Sequence, residues 1–152
     1  MQNILKTTTL RSTKMTKEEQ LQALNDWNRN TLLQTLDIKF TDVGDDFLIA
    51  TMPVTPVVHQ PLGMLHGGAS AALAESLGSC LSNIVLDRSV NAAVGTNLNC
   101  NHLKSKKEGM VTGTARLIRK GRTQHFTEIE IRDEKGDLIC HSTMTNVVIN
   151  VR

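Results

Sequence analysis

The sequence predicts an α+β domain in which an antiparallel sheet of about six strands curls around one long central helix. Three observations predict this class. Residues 69–86 form a small, apolar run with helical periodicity and a single charged side chain, Glu75. Two strand-like segments precede this run, and four follow it without a further helix. The turns between those four are short, so consecutive strands are expected to pair antiparallel.

The predicted central helix has two unlike sides. One side carries large aliphatic residues at helical spacing, namely Leu73, Leu77, Leu81 and Ile84. The opposite side is small and polar and comprises Gly68, Ala71, Glu75, Ser79 and Ser82. A helix this apolar is expected to be buried on most faces. Its lone carboxylate is therefore costly unless it is paired or used in chemistry.

The chain before the central helix begins with a tail and a helical part. Residues 1–15 lack periodicity and are predicted to be a loose tail, so that the folded domain spans residues 16–152. Thr16 and Glu19 match a capping box at the start of a helix. One side of that helix carries Leu21, Leu24 and Trp27. A second short helical piece is predicted at residues 31–36.

Strand-like alternation marks the rest of the chain. The predicted strands are residues 38–43, 47–54, 92–104, 110–118, 123–132 and 138–151. Glycine lies in the turns that would join neighbouring strands, at Gly44, Gly109, Gly121 and Gly136. Between the second strand and the helix, prolines at 53, 56 and 61 predict a loop that leads to His66, Gly67 and Gly68.

Composition narrows the class of function. The chain of 152 residues fits one domain, and its hydrophobic share of 39% and charged share of 21% are ordinary for a globular protein. A net charge of +2 and an aromatic share of 3% do not indicate a nucleic-acid partner. Neither a membrane-spanning run nor a signal-peptide core is evident. The three cysteines form no CxxC pair, which favours reduced thiols in a cytoplasmic protein.

Three motifs together resemble the hotdog-fold acyl-CoA thioesterases. They are Gln60-Pro61 leading through Gly63 to His66-Gly67-Gly68-Ala69-Ser70, then Ala74-Glu75-Ser76, and later Asn99-x-Asn101-His102 with Gly121-Arg122. The resemblance is to the branch whose catalytic carboxylate lies on the central helix. This branch includes 4-hydroxybenzoyl-CoA, phenylacetate-pathway and 1,4-dihydroxy-2-naphthoyl-CoA thioesterases. The similar region covers roughly residues 37–148. The tail before Thr16 and the final Asn150-Val151-Arg152 are two features that the resemblance does not cover.

The resemblance implies catalytic roles for five residues. Glu75 would be the nucleophile or the general base, and the Gly67 N–H would stabilise the oxyanion. His66 and Gln60 would flank the thioester, and Ser79 would hold the attacking water. Structural explanations stay open beside these roles. Glu75 could be a paired core glutamate, Gly67 a turn glycine, His66 a helix cap, and Ser79 a hydroxyl bonded back to the helix.

The resemblance also implies a binding region for coenzyme A. Gly121, Arg122 and Thr123 would hold its phosphates. His102 and Ser105 would touch the pantetheine or nucleotide. Gly95 would let the ligand approach a strand backbone. Two further basic residues, Lys106 and Lys107, are interpreted as a solvated rim. The other possible contributors to a basic cluster are Lys104, Arg116, Arg119 and Lys120.

The predicted activity is hydrolysis of an acyl- or aroyl-CoA to the free acid and coenzyme A. We expect no bound cofactor, since coenzyme A is part of the substrate, and no metal, since His59 and His66 have no further ligand at suitable spacing. A hotdog-fold dehydratase and a non-catalytic acyl-CoA sensor are the alternatives. Gly67 and Glu75 would lie about 12 Å apart along one helix, which predicts an oligomer whose active sites are each shared by two chains. The resemblance implies the same arrangement, usually as a dimer of dimers, so a homodimer or homotetramer is expected.

Overall fold

The computed structural model describes residues 15–151, so the predicted tail lies almost entirely outside the described residues. Within these residues, three α-helices and eight strands follow one another. In order they are α1 (Lys17–Trp27), α2 (Leu32–Thr35), β1 (Lys39–Val43), β2 (Phe47–Val54), β3 (His59–Gln60), β4 (Met64–Leu65), α3 (Gly67–Ile84), β5 (Asn91–His102), β6 (Gly109–Lys120), β7 (Gln124–Asp133) and β8 (Leu138–Asn150). A short 3₁₀ turn, Pro56–Val58, precedes β3.

Six of the strands form one antiparallel sheet in the order β1-β2-β6-β7-β8-β5. β6, β7 and β8 pair in sequence, as short turns between strands require. β5 then pairs with β8 and leaves its other edge free within residues 15–151. The predicted α+β architecture, with about six strands and one long helix, is therefore confirmed.

The central helix α3 packs against five strands of this sheet, β2, β5, β6, β7 and β8. Its aliphatic side is buried as the periodicity predicts, with Leu73, Leu77 and Leu81 fully enclosed. Asn83 attaches the helix to β5, because its side-chain amide donates to Ala93 O and accepts from Ala93 N, both at 2.9 Å. These contacts set the position of the polar side of α3 relative to β5.

The N-terminal helix α1 begins with the predicted capping box. Thr16 Oγ1 accepts from Glu19 N, and the Glu19 carboxylate accepts from Thr16 N. Leu24 and Trp27, which were predicted to share one side of α1, differ in burial in the fold. Leu24 is buried in the core, whereas Trp27 is 53% exposed. The Arg88 guanidinium lies 3.8 Å from the centroid of the Trp27 ring, in a cation–π contact.

The loop before α3 contains structure that the sequence pattern did not predict. β3 and β4 form a two-residue hairpin, with His59 opposite Leu65 and Gln60 opposite Met64. Two residues are too few to show a periodicity, and the neighbouring prolines favour a loop. The hairpin brings Gln60 close to the start of α3. None of the helices within residues 15–151 is long and apolar enough to cross a membrane.

Candidate active site

The N-terminus of α3 offers a single unengaged backbone donor. His66 caps the helix, since its Nδ1 accepts from Gly68 N at 2.7 Å. The His66 carbonyl accepts from the N–H groups of Ala69 and Ser70. The N–H of Gly67 has no hydrogen-bond partner in the described part of the chain. This donor lies at the positive end of the helix dipole, where it suits a developing negative charge.

The cap also orients the His66 ring. A nitrogen that accepts a hydrogen bond carries no proton, so a neutral ring holds its proton on Nε2. His66 is exposed, which leaves this Nε2–H able to donate to a bound molecule. The capping function, one of the two interpretations of His66 from sequence, is therefore present. It is compatible with a chemical role for the other nitrogen.

A cleft of about 310 Å³ opens beside Gly67. Its lining residues are Gln60, Met64, Leu65, Gly67, Ser70, His102, Leu103, Lys104, Ser105 and Ile139. Gln60 Oε1 accepts from Leu62 N at 2.6 Å, so the amide nitrogen of Gln60 is the group left to donate. The His102 ring lies against Gly67, where an added Cβ would meet Nε2 at 2.7 Å. The predicted residues Gln60, Gly67, His102 and Ser105 thus share one cleft.

Glu75 lies two turns further along α3, in a half-buried position. Ser79 Oγ donates to Glu75 Oε1 at 3.0 Å, so Ser79 does not bond back to a helix carbonyl. Gly95 of β5 faces the same oxygen, and a Cβ there would lie 2.4 Å from Glu75 Oε1. No salt bridge to Glu75 is present within residues 15–151, so the structure gives it no buried cationic partner.

The structure separates the two predicted catalytic groups. Gly67 and Glu75 are eight residues apart in one helix, which corresponds to about 12 Å along its axis. Glu75 does not line the cleft that contains Gly67. One thioester carbonyl cannot touch both groups of a single chain. The predicted separation is therefore present in the fold.

A second cleft, of about 370 Å³, contains the predicted phosphate-binding residues. It is lined by Arg119, Gly121, Arg122, Thr123, Gln124, His125, Phe126 and Thr145. On β8, Thr145 of this cleft and Ile139 of the first cleft are six residues apart. That spacing corresponds to about 20 Å of extended strand. The residues predicted to bind coenzyme A are consequently divided between two regions of one chain.

Two residues singled out in the sequence, Gly95 and Lys106, have surroundings other than those predicted. Gly95 lines neither cleft and instead lies against Glu75 and Met144. The interpretation of Lys106 as a solvated rim residue is wrong, because its side chain is only 15% exposed. It forms an ion pair with Glu134 and lies 3.9 Å from Asp133. Strand β7 and its turn supply these carboxylates, which are adjacent to Lys106 only in the fold.

The sequence interpretation missed a set of buried polar residues behind Glu75. Ser82, His125 and Asn146 are fully enclosed. The available signal was the strand alternation, since Asn146 lies between Met144 and Val148 on the inward side of β8, and His125 shares the inward side of β7 with Ile129 and Ile131. For Ser82, the helical periodicity predicts only a place on the small and polar side of the helix.

The cysteines and possible metal ligands give no second site. Cys80, Cys100 and Cys140 are free thiols. Burial raises the pKa of Cys80 to about 11, which makes it a poor nucleophile at neutral pH. Within residues 15–151, no group of three or more His, Cys, Asp or Glu side chains could hold a metal ion.

Comparisons with known proteins identify the family of this chain. The family profile of the thioesterase superfamily matches residues 62–140. A 1,4-dihydroxy-2-naphthoyl-CoA hydrolase of Escherichia coli is 42% identical over 129 residues, which cover 85% of this chain and 94% of that protein. The proofreading thioesterase EntH of Cronobacter turicensis is 43% identical over 129 residues, covering 85% and 93% respectively.

Solved structures show the same fold. A thioesterase from Haemophilus influenzae superimposes with a TM-score of 0.84 at 37% identity, covering 95% of this chain and 96% of that one. A thioesterase variant from Pseudomonas aeruginosa has a TM-score of 0.84 at 40% identity, covering 86% and 94%. The chain therefore belongs to the thioesterase superfamily and has its hotdog fold. Within that class it is a thioester hydrolase.

Proposed function

We propose that this thioester hydrolase is an acyl-CoA thioesterase, which converts an acyl- or aroyl-CoA to the free acid and coenzyme A. The observation that carries the proposal is the unengaged Gly67 N–H at the start of α3, beside a cleft lined by both apolar and polar side chains. The naphthoyl-CoA hydrolase among its relatives acts, by its name, on an aroyl-CoA. A CoA thioester of aromatic or aliphatic acyl type is accordingly the substrate class.

In the proposed reaction, the thioester oxygen accepts a hydrogen bond from the Gly67 N–H, which stabilises the negative charge as the carbonyl is attacked. Glu75 either removes a proton from the attacking water or attacks the carbonyl carbon itself. The carbon–sulfur bond then breaks, and the thiolate of coenzyme A leaves and takes up a proton. In the second route, water hydrolyses the resulting anhydride. Neither route needs a cofactor.

Around the thioester, the remaining predicted residues would orient the substrate. The free amide nitrogen of Gln60 and the Nε2–H of His66 are donors that suit the acyl carbonyl or the departing sulfur. Ser79, which already donates to Glu75, would hold the attacking water. At the other end of the substrate, Arg122 with Gly121 and Thr123 would bind phosphate oxygens, with His102 and Ser105 nearer the pantetheine.

We further propose that each active site is built by two chains. The separation of Gly67 and Glu75, about 12 Å along α3, supports this arrangement. So does the free edge of β5, since an unpaired strand edge favours association with a second chain. A two-fold axis beside α3 would bring Glu75 of one chain to Gly67, His66 and Gln60 of another. A homodimer, or a homotetramer made of two such dimers, follows, and the free thiols favour a cytoplasmic location.

The central experiment is steady-state hydrolysis of a panel of aromatic, short and long acyl-CoAs. Glu75→Ala and Glu75→Gln should each lower kcat by on the order of a thousandfold, because a general base or nucleophile is lost. Ser76→Ala is the matched control, since the Ser76 hydroxyl bonds back to the Ala72 carbonyl at 2.7 Å on the same helix. Near-normal turnover by the Glu75 variants would exclude Glu75 from the mechanism. Absence of hydrolysis across the wild-type panel would overturn the proposed substrate class.

A further inference from the structure

Three fully buried side chains behind the candidate site have polar atoms without partners. They are Ser82 on α3, His125 on β7 and Asn146 on β8, all at 0% exposure. The unpartnered atoms are Ser82 Oγ, both ring nitrogens of His125, and Asn146 Oδ1. Buried polar atoms in proteins are nearly always hydrogen-bonded, so a group of this kind calls for an explanation.

One of these side chains, Asn146, is linked to Glu75, and the other two lie beside it. His125 and Asn146 are direct partners in the register of β7 and β8, and both face the helix. Asn146 Nδ2 lies 3.5 Å from Ser79 Oγ, a long hydrogen bond. Ser79 in turn donates to Glu75 Oε1 at 3.0 Å. Ser82 lies one turn after Ser79 on the same helix, and its backbone approaches the His125 ring.

The behaviour of Ser79 differs from that of its neighbour Ser76. Ser76 Oγ donates to the carbonyl of Ala72, four residues earlier, which is the usual arrangement for a serine inside a helix. Ser79 donates to a side chain instead, although a helix carbonyl is equally close in sequence. An amide N–H from Asn146 at the Ser79 oxygen explains why this hydroxyl points towards the carboxylate.

His125 has the donor and acceptor that the path requires. Burial, and then the positive charge of Lys120, lower the pKa of His125 below its usual value of 6.5. The nearby backbone of Ser82 raises this pKa and so offsets part of the shift. The ring is thus neutral at physiological pH, with one N–H donor and one acceptor nitrogen. One ring nitrogen can donate towards Asn146 Oδ1 and the other can accept from the direction of the Ser82 hydroxyl, and none of these atoms has a direct partner in the structure.

We propose that Asn146 and His125 are positioning residues for the hydrolytic reaction, acting through a buried chain of hydrogen bonds from Ser82 to Glu75. Ser82 donates to His125, His125 to Asn146 Oδ1, Asn146 Nδ2 to Ser79, and Ser79 to Glu75. Neither ring nitrogen of His125 has a direct side-chain partner, so each of its two links runs through an ordered water. This series of hydrogen bonds fixes the Asn146 amide, and thereby holds Ser79 and the Glu75 carboxylate in the orientation for attack. This inference rests on the proposed function of Glu75.

The first test is a double-mutant cycle on wild-type and variant enzyme. Asn146→Leu, of similar size but without hydrogen bonds, should lower kcat by roughly tenfold at unchanged KM, and should cost almost nothing further in a Ser79→Ala background. His125→Gln keeps a donor and an acceptor and should retain more activity than His125→Leu. Thr127→Val is the matched control, because Thr127 is equally buried on β7 but bonds to the Met144 carbonyl.

Losses that multiply in the Asn146→Leu/Ser79→Ala double variant would overturn the proposal, as would equal activity in the two His125 variants. If Asn146→Leu fails to fold, Asn146→Thr replaces it, since threonine suits a strand and its hydroxyl is one bond shorter than the amide.

A second test does not depend on turnover. The imidazole N–H of His125 should give a slowly exchanging proton–nitrogen NMR signal that disappears or shifts in the Asn146 variant and persists in Thr127→Val. An unchanged signal in the Asn146 variant would overturn the chain of hydrogen bonds even if hydrolysis is normal. If the wild-type protein hydrolyses no acyl-CoA, the proposed function fails. The His125 signal still decides whether the hydrogen bonds between Ser82 and Glu75 are formed.

Discussion

Gly95 of β5 and Glu75 of α3 are in direct contact. A Cβ atom on Gly95 would lie 2.4 Å from Glu75 Oε1 and 2.6 Å from the Met144 methyl group. No side chain larger than hydrogen fits there unless the carboxylate moves. A glycine within a strand weakens that strand, so its presence here indicates close approach by another group. The predicted contact of Gly95 with coenzyme A stays a prediction, while its contact with Glu75 is a finding.

Gly95→Ala should therefore lower kcat by displacing Glu75. We expect a loss of about tenfold or more with a smaller change in KM, because a misplaced reacting group affects the chemical step. Gly113→Ala is the control. A Cβ on Gly113 would lie 2.5 Å from Leu77 Cδ1, so this variant should lose stability while the folded enzyme keeps its kcat. Equal kcat losses in the two variants would show that the effect is general crowding around α3.

His66 serves as cap and as candidate donor, and substitutions separate these functions. His66→Ala should destabilise the protein by about 1 kcal/mol, because the Gly68 N–H loses its acceptor. His66→Asn should keep the stability, since asparagine is a good N-cap, and should lose as much activity as the alanine variant. Thermal unfolding and steady-state kinetics on both variants check this. Full activity in His66→Asn would restrict His66 to capping.

Arg122 tests the proposed phosphate contact. Arg122→Ala should raise KM for acyl-CoA with a smaller effect on kcat, because a contact remote from the thioester contributes uniform binding. The increase should shrink when the substrate lacks the 3′-phosphate of coenzyme A. Arg116→Ala, a basic residue outside the second cleft, is the control. Equal increases in KM for substrates with and without that phosphate would contradict the assignment of Arg122 to the 3′-phosphate.

Glu134 provides a prediction about acid stability. The hydrogen bond from Lys106, followed by that from the Met110 N–H, lowers the pKa of Glu134 from 4.5 to about 2. A carboxyl whose pKa is lower in the folded state contributes stability above its unfolded pKa and loses it as the pH falls through the folded value.

Glu134→Gln should accordingly flatten the decline in the urea midpoint as the pH falls from about 4.5 towards 2. The change should be modest, since Glu134 is exposed to solvent. Glu108→Gln, which alters an exposed carboxylate near Lys106, should keep the wild-type slope. A wild-type slope in Glu134→Gln would mean that this ion pair contributes no pH-dependent stability.

The two-chain site predicts complementation between inactive variants. Glu75→Ala and Gln60→Ala chains, mixed after dissociation and allowed to reassociate, should recover part of the activity, because some mixed dimers would hold one intact site. Each variant taken through the same procedure alone is the control. Mixed dimers that form but remain inactive would assign each site to a single chain.

Much of the architecture follows from local patterns that the sequence displays. The alternation in β2, the glycine turns between β6, β7 and β8, and the aliphatic side of α3 each arise from residues close in sequence, so their periodicity predicts them. The capping box of Thr16 and Glu19 is equally local. The motif from Gln60 to Glu75 carried the family resemblance, because it is one continuous stretch.

Only the tertiary structure decided which distant residues meet. Gly95 lies against Glu75 because β5 pairs with β8 under the helix, and Lys106 is covered because Glu134 approaches it from the β7–β8 turn. His125 and Asn146 come together through strand register, which a one-residue shift would abolish by turning their side chains to the other face. Local sequence determines the elements and their buried faces, whereas register and packing between distant segments determine the surroundings of each polar group.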